Sequence, residues 1–169
     1  MGLEPVSIDG AKALAEEDRF QFQYWALGLV GARPTEEKKG ADRGIDGRIY
    51  FIDDHSSTKQ VIISVKSGKP KVSEVRDLNG VLEREKAQIG VYITLNDPTG
   101  PMKNESASSG FYESTGWGKH PRIQILTIQE LLDGKKINMP RIKHVGQTFK
   151  RAKRATGPAV PQGEMFDTD

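Results

Sequence analysis

An unbroken run of β-branched residues, Val61 to Ile63, lies in a short segment that ends at Lys66. Successive side chains of a strand point to opposite faces of a sheet, so an apolar run of this kind needs cover on both faces. We therefore predict a central strand over residues 60–65, in a sheet that carries helices on its two faces. This strand alone favours a domain of the α/β class.

The pattern along the rest of the chain agrees with an α/β fold. Helical spacing of apolar residues predicts a long first helix capped by Asp9, and Ser73 is a candidate cap for a second helix. The predicted elements are a helix over 9–30, strands over 48–52 and 60–65, a helix over 74–87, strands over 89–95 and 122–127, and short helices near 105–112 and over 128–132. The order α-β-β-α-β-β predicts a central mixed β-sheet flanked by helices.

Length and composition set further bounds on the function. The chain has 169 residues, of which 36% are hydrophobic and 28% charged, and this suits one domain with its own core. The absence of cysteine excludes disulfides and thiolate metal sites. No apolar run is long enough to span a bilayer, so we expect no membrane partner and a cytoplasmic location.

Positive charge is concentrated towards the C-terminus of the chain. Six basic residues and no acidic residue lie between Arg141 and Arg154. Such a stretch favours a polyanion as partner, and a solvated tail that aids solubility is an equally good interpretation. We predict a folded domain over residues 1–134, followed over 135–169 by a basic, Pro- and Gly-containing segment that is partly mobile.

Asp46 and Lys66 are predicted to meet at one end of the sheet, because they lie at the start and at the end of two paired strands. A buried ammonium without a partner is costly, so Asp46 is the expected partner of Lys66. Spacing alone favours a structural ion pair. Glycines on either side of Ile45-Asp46 would allow close approach of the backbone to a ligand, which favours a functional site.

A metal-and-water site for phosphodiester hydrolysis is the functional interpretation of this pair. Magnesium prefers oxygen ligands, and Asp46 with the Val65 carbonyl would supply two of them. Lys66 would position the attacking water and stabilise the developing anion. The residues predicted to contact DNA phosphates are Lys38, Lys39, Arg43, Lys69 and Arg76.

Three segments resemble the PD-(D/E)xK nuclease superfamily, and most closely its Mrr-like restriction endonuclease branch. They are Phe20-Gln21, the loop from Asp42 to Asp46, and Ser64-Val65-Lys66. The resemblance covers residues 18–95 by motif and extends to Leu132 by element order. It implies a restriction-endonuclease-like fold and a Mg²⁺- or Mn²⁺-dependent DNA endonuclease.

The resemblance also implies a role for individual residues. Asp46 matches the metal-binding aspartate, Lys66 the catalytic lysine, and Asp42 an additional acid that is a further candidate ligand. Gln21 stands where relatives often carry a glutamate, and Ser64 stands at a Glu or Gln position. Both departures weaken metal binding, because Gln21 replaces a charged carboxylate by a neutral amide and the Ser64 hydroxyl is a poor magnesium ligand.

The residues over 39–47, 80–86 and 110–118 are similar to domains attached to bacterial restriction–modification DNA methyltransferases. This implies a methyltransferase partner and a chain that is a fragment or a separated module of a larger protein. A homodimer is also compatible with the sequence. Besides the endonuclease, two functions stay open: a non-catalytic DNA-binding module of the same fold, which Ser64 and Gln21 favour, and a module that binds only protein.

Overall fold

A computed structural model describes residues 4–35, 44–54 and 57–140 of the chain. The elements in these ranges are α1 (Ile8–Glu17), α2 (Arg19–Leu29), β1 (Arg33–Pro34), β2 (Gly47–Phe51), β3 (Lys59–Lys66), α3 (Val72–Glu85), β4 (Ile89–Thr94), α4 (Gly100–Ala107), β5 (Phe111–Ser114), β6 (Gly118–Pro121), β7 (Ile123–Thr127) and α5 (Ile128–Leu132). Within the described ranges, every helix is too short or too polar to cross a bilayer.

The main sheet has five strands in the order β1-β2-β3-β4-β7. β2 pairs with β1 and β3 in antiparallel fashion, whereas β4 pairs with β3 and β7 in parallel fashion. β3 therefore lies at the centre, and the predicted mixed sheet flanked by helices is confirmed. β5 and β6 form a separate antiparallel hairpin.

The central strand contributes to a hydrophobic core on each face of the sheet. Val61 and Ile63 pack in one cluster with residues of α1, α2 and α5. Ile62 packs in the other cluster with residues of α3 and α4. This division follows from the two-residue period of a strand, and it explains why the segment is apolar without interruption.

The prediction of one continuous first helix over residues 9–30 is wrong, because two helices, α1 and α2, occupy this range. Asp18 ends α1 and caps α2, where its Oδ1 accepts hydrogen bonds from the backbone N–H groups of Phe20 at 3.0 Å and Gln21 at 3.2 Å. A carboxylate that satisfies free N–H groups favours a helix start over a continuous helix. Ser7, rather than Asp9, caps α1.

Three further boundaries differ from the sequence-based expectation. α3 begins at Val72 after an N-cap at Lys71, so Ser73 lies inside the helix. The helix expected near residues 105–112 is wrong, because α4 begins at Gly100 after its Thr99 cap and ends at Ala107, and β5 begins at Phe111. Thr99 and the proline that follows Gly100 are the local signals for the earlier start.

The packed part of the domain extends beyond residue 134. Ile137 and Met139 are buried and belong to the core cluster on the α1, α2 and α5 face. The basic stretch from Arg141 to Arg154 lies outside the described residues, as do four predicted site residues: Lys38, Lys39, Asp42 and Arg43. Their predicted roles stay predictions.

Candidate active site

Asp46 is held firmly at the point where β2 begins. Its Oδ2 accepts a hydrogen bond of 2.7 Å from the backbone N–H of Val65. Its own N–H donates to the Ile63 carbonyl at 2.9 Å, and its carbonyl accepts from the N–H of Thr35 at 3.0 Å. With 9% of its surface exposed, Asp46 presents a carboxylate whose position is set by the backbone on both sides.

The Val65 carbonyl faces the same edge of β3 as the Asp46 carboxylate. The carbonyl of the next residue, Lys66, accepts from the N–H of Leu95 at 2.9 Å, on the β4 side of the strand. Backbone carbonyls along a strand alternate between its two edges, so the Val65 carbonyl points away from β4. The Val65 N–H, bonded to Asp46, points the same way. Two oxygens that could bind a metal ion therefore lie at this edge of β3.

The expected ion pair between Asp46 and Lys66 is wrong, because Lys66 pairs with Glu74. The Lys66 Nζ lies 2.8 Å from Glu74 Oε2. The reason is the period of β3: Lys66 shares a face with Ile62, which packs in the α3 cluster, whereas Asp46 lies at the strand edge. Glu74 is the third residue of α3, so it lies on the helix that covers this face.

Glu74 is the centre of a polar network next to the candidate site. Besides Lys66, its Oε1 accepts from the Tyr92 hydroxyl at 2.7 Å and from the N–H of Lys71 at 3.0 Å. Burial alone would raise the pKa of Glu74, but the hydrogen bonds from Lys66, Tyr92 and Lys71 outweigh it and hold the pKa below its ordinary value. Glu74 is therefore ionised at neutral pH and pairs with Lys66 as a carboxylate.

The Tyr92 hydroxyl acts as a donor in this network. Burial, and then the hydrogen bond to Glu74, raise the pKa of Tyr92 far above its ordinary value. The phenol is therefore protonated at neutral pH. Sequence reasoning missed Glu74, although an acid in the first turn of the helix directly after the lysine strand was a usable signal.

The chain belongs to a known family by sequence comparison. A family model described as a restriction endonuclease, Mrr_cat, matches residues 14–135, which contain the whole of the site described above. The chain is a member of the Mrr_cat restriction endonuclease family. The resemblance that Asp46 and Lys66 carried is thereby confirmed, and the family generally uses divalent metal ions.

A solved structure of the MspJI restriction endonuclease in complex with a 27-mer oligonucleotide is similar to this one. The TM-score is 0.47 and the sequence identity 14%, over 74% of this chain and 29% of the MspJI chain. This chain therefore spans less than a third of the length of that protein. No sequence among the curated proteins matches it.

Ser64 and Gln21 depart from the nuclease motif, and they lie in different surroundings in the structure. Ser64 is half-buried in β3, on the same face as Lys66 and in register with Tyr92. Gln21 lies on an exposed side of α2. Gln23, two residues later, instead lines a cleft together with Lys66. The difference arises because helical positions two residues apart point about 200° apart.

The structure describes two of the residues predicted to contact DNA. Lys69 is exposed in the connection between β3 and α3. Arg76 forms an ion pair on the surface with Glu105, with 3.2 Å between Nε and Oε1. Such exposed pairs contribute about 0–1 kcal/mol, so this contact would not prevent Arg76 from exchanging partners.

The described residues contain no group of three or more His, Asp or Glu side chains arranged to hold a metal ion. The oxygen donors at the site are the Asp46 carboxylate and the Val65 carbonyl. Magnesium is commonly bound through one or two carboxylates and keeps several waters, so a small donor set of this kind is compatible with it.

The glycines beside Asp46 are required by the packing and by the backbone conformation of this restriction endonuclease domain. A Cβ at Gly47 would lie 2.6 Å from Leu27 Cδ2 and 3.1 Å from the Arg33 carbonyl oxygen. Gly44 has a φ of +84°, which other residues rarely adopt. Gly47 is therefore needed so that α2 and β1 can approach the start of β2, which holds Asp46.

Substitution of Gly47 by alanine is expected to destabilise the fold by about 1–3 kcal/mol, because the buried Leu27 and the β1 backbone leave no room for a methyl group. The matched control is Gly80→Ala in α3, where a Cβ would meet nothing within 4 Å. That control is expected to stabilise by roughly 0.5–1 kcal/mol. Urea unfolding followed by circular dichroism measures both, and equal stability of the two variants would refute the packing argument.

Proposed function

We propose that this chain is a divalent-metal-dependent DNA endonuclease domain that hydrolyses phosphodiester bonds with Mg²⁺ or Mn²⁺. The observation that carries the proposal is the Asp46 carboxylate, fixed by the Val65 N–H at 2.7 Å beside the Val65 carbonyl. Lys66, the next residue along β3, supplies a cation at the same end of the strand. Membership of a restriction endonuclease family supports a reaction on DNA.

Asp46 and the Val65 carbonyl would hold the metal ion. A carboxylate has about four lone-pair sites, so the hydrogen bond from Val65 is compatible with a cation bound by the same carboxylate. When bound, the ion would lower the pKa of a coordinated water and neutralise charge that builds on the phosphate. Asp42 stays a candidate for a further ligand.

Lys66 would orient the nucleophile and stabilise the developing negative charge. An ammonium has three donors, and Glu74 accepts from one of them. The other two are suited to an attacking water and to a phosphate oxygen. Glu74 acts as a positioning residue in this arrangement, because it holds the flexible lysine side chain at 2.8 Å in one geometry.

Plasmid cleavage tests the proposal directly. Supercoiled DNA incubated with the protein should be nicked or linearised in Mg²⁺ or Mn²⁺ and should stay intact in EDTA. The matched control is Asp46→Asn, which retains an oxygen for the Val65 hydrogen bond but lacks the charge that binds a cation. Equal cleavage by the wild type and by Asp46→Asn would show that a contaminating nuclease, and not this site, is responsible.

A DNA-binding module without catalysis is the second candidate function. The observation in its favour is Ser64, whose hydroxyl replaces a second acidic or amide ligand on the face of Lys66. This function predicts salt-dependent DNA binding with no cleavage in any divalent metal. Cleavage by the Ser64→Glu variant would then indicate that the wild-type domain has lost its activity through this one position, because the substitution restores only the missing carboxylate.

We propose a DNA methyltransferase as a partner of this domain. The proposal is supported by the likeness of residues 39–47, 80–86 and 110–118 to domains attached to such enzymes. Co-elution of the chain with a purified restriction–modification DNA methyltransferase would support this pairing, and separate elution of the two proteins at micromolar concentration would contradict it.

A further inference from the structure

A cleft of about 360 Å³ lies between the start of α2 and the end of β3. Lys66 is one of its lining residues, so the cleft adjoins the candidate active site. The other lining residues that matter here are Arg19, Phe20, Gln23, Ser67 and Gly68. Val65 also lines the cleft, so the cleft lies directly beside the strand end whose Val65 N–H donates to Asp46.

Phe20 lines this cleft with an exposed aromatic ring. Its surface is 62% exposed, although most large apolar side chains of the described domain are buried. The Arg19 guanidinium lies 5.6 Å from the ring centroid and so adds positive charge to the same wall. The backbone under Phe20 is held by the hydrogen bond of 3.0 Å from its N–H to Asp18. This bond fixes the backbone from which the Phe20 ring projects.

We propose that this cleft binds a single unstacked nucleotide of the DNA, with its base against Phe20. An aromatic face binds any base by stacking, and a neighbouring arginine suits the phosphate. The Gln23 amide and the Ser67 hydroxyl supply donors and acceptors for a base edge or sugar. The proposal rests on the proposed function, because it takes DNA as the substrate.

The nucleotide must leave the duplex to be bound in this way. A base inside a duplex has both faces covered by its neighbours, so only an extruded, frayed or single-stranded nucleotide offers a free face to Phe20. The cleft therefore gives the domain a means to hold DNA that is locally opened beside the cleaved bond, and it assigns Phe20 to substrate positioning.

Oligonucleotide binding in EDTA tests the proposal without any hydrolysis. Fluorescence anisotropy of a labelled single-stranded oligonucleotide gives the dissociation constant for the full chain and its variants. Phe20→Ala is expected to weaken binding by about tenfold, whereas Phe20→Trp should retain it because the aromatic face remains. Tyr24→Ala is the matched control, since Tyr24 is exposed on the same helix but does not line the cleft.

An abasic oligonucleotide of the same length separates stacking from charge. The penalty of Phe20→Ala should largely disappear on this ligand, because it keeps the phosphates and lacks the bases. A penalty of the same size on both oligonucleotides, or an equal loss in Tyr24→Ala, would overturn the stacking role. Since Phe20 is largely exposed, its replacement should leave thermal unfolding unchanged.

The outcomes also separate this proposal from the nuclease. Metal-dependent cleavage together with unchanged oligonucleotide binding by Phe20→Ala would contradict the nucleotide-binding role of the cleft and leave the proposed nuclease activity standing. Oligonucleotide binding that depends on Phe20, without cleavage in any metal, would contradict the proposed nuclease activity and support the nucleotide-binding role of the cleft. Absence of oligonucleotide binding by the wild type at low salt would contradict the nucleotide-binding role of the cleft. It would favour a protein partner for the exposed Phe20 surface.

Discussion

Replacement of Lys66 by methionine is expected to lower the rate of metal-dependent DNA cleavage by about 10²- to 10³-fold. Methionine keeps most of the length of the side chain but removes the cation that would hold the water and the phosphate. The rate is measured under single-turnover conditions with excess protein, so that weaker DNA binding does not contribute. Cleavage by Lys66→Met at the wild-type rate would remove Lys66 from the mechanism.

A matched lysine–glutamate pair elsewhere on the domain provides the control. Lys135 lies 3.2 Å from Glu130, and both side chains are largely exposed near α5. Lys135→Met also removes one lysine from an ion pair but touches none of the site residues. We expect its cleavage rate to equal that of the wild type, so a fall in both variants would point to a general effect of charge on DNA binding.

The role of Glu74 is separated from that of Lys66 by Glu74→Gln. Glutamine can still accept from the Tyr92 hydroxyl, but its neutral amide binds the lysine less strongly. We expect about a tenfold lower cleavage rate, with a changed acid side of the pH profile because the variant lacks the carboxylate of Glu74, whose pKa is held below its ordinary value. An unchanged rate and pH profile would limit Glu74 to capping α3.

Replacement of Asp53 by asparagine is expected to cost about 3 kcal/mol in the free energy of unfolding, since it breaks a buried ion pair. Asp53 accepts from the hydroxyls of Tyr112 and Ser114, and its Oδ1 lies 3.0 Å from the Nζ of Lys59. It thus connects the turn after β2 to the β5–β6 hairpin. Urea unfolding at neutral pH measures the loss.

Asp54→Asn is the matched control for this variant. Asp54 pairs with the same lysine at 2.9 Å, but its side chain is 34% exposed, against 1% for Asp53. The expected loss is about 0–1 kcal/mol, because water compensates an exposed carboxylate. Equal losses for the two aspartates would show that burial does not determine the strength of this network.

The contribution of Asp53 should also depend on pH with a defined sign. Burial would raise the pKa of Asp53, but hydrogen bonds from Ser114, Tyr112 and Lys59 outweigh it and place the pKa below its ordinary value. The stabilisation is therefore complete above about pH 4, the value for an unfolded aspartate, and is lost as the pH falls through the folded pKa. The stability difference between wild type and Asp53→Asn should accordingly shrink in acid, and a constant difference would contradict the assignment.

Much of the fold could be predicted because its main signals are local. The central position of β3 follows from the apolar run that ends before Ser64, and the short helix α5 follows Ile123–Thr127 as expected. The break between α1 and α2 was missed because the apolar stripe continues through it, and only the hydrogen bonds of Asp18 reveal the cap. The β5–β6 hairpin was missed because its residues do not alternate clearly between apolar and polar.

The amino-acid sequence alone was sufficient to identify Asp46, Val65 and Lys66 as the candidate site, because motif residues and strand period are properties of short segments. The tertiary structure alone determined what surrounds them. It pairs Lys66 with Glu74 and lines the adjoining cleft with Phe20. The physical reason is that these contacts join separate elements, and the face that each helix presents to the sheet depends on the packing of the whole core.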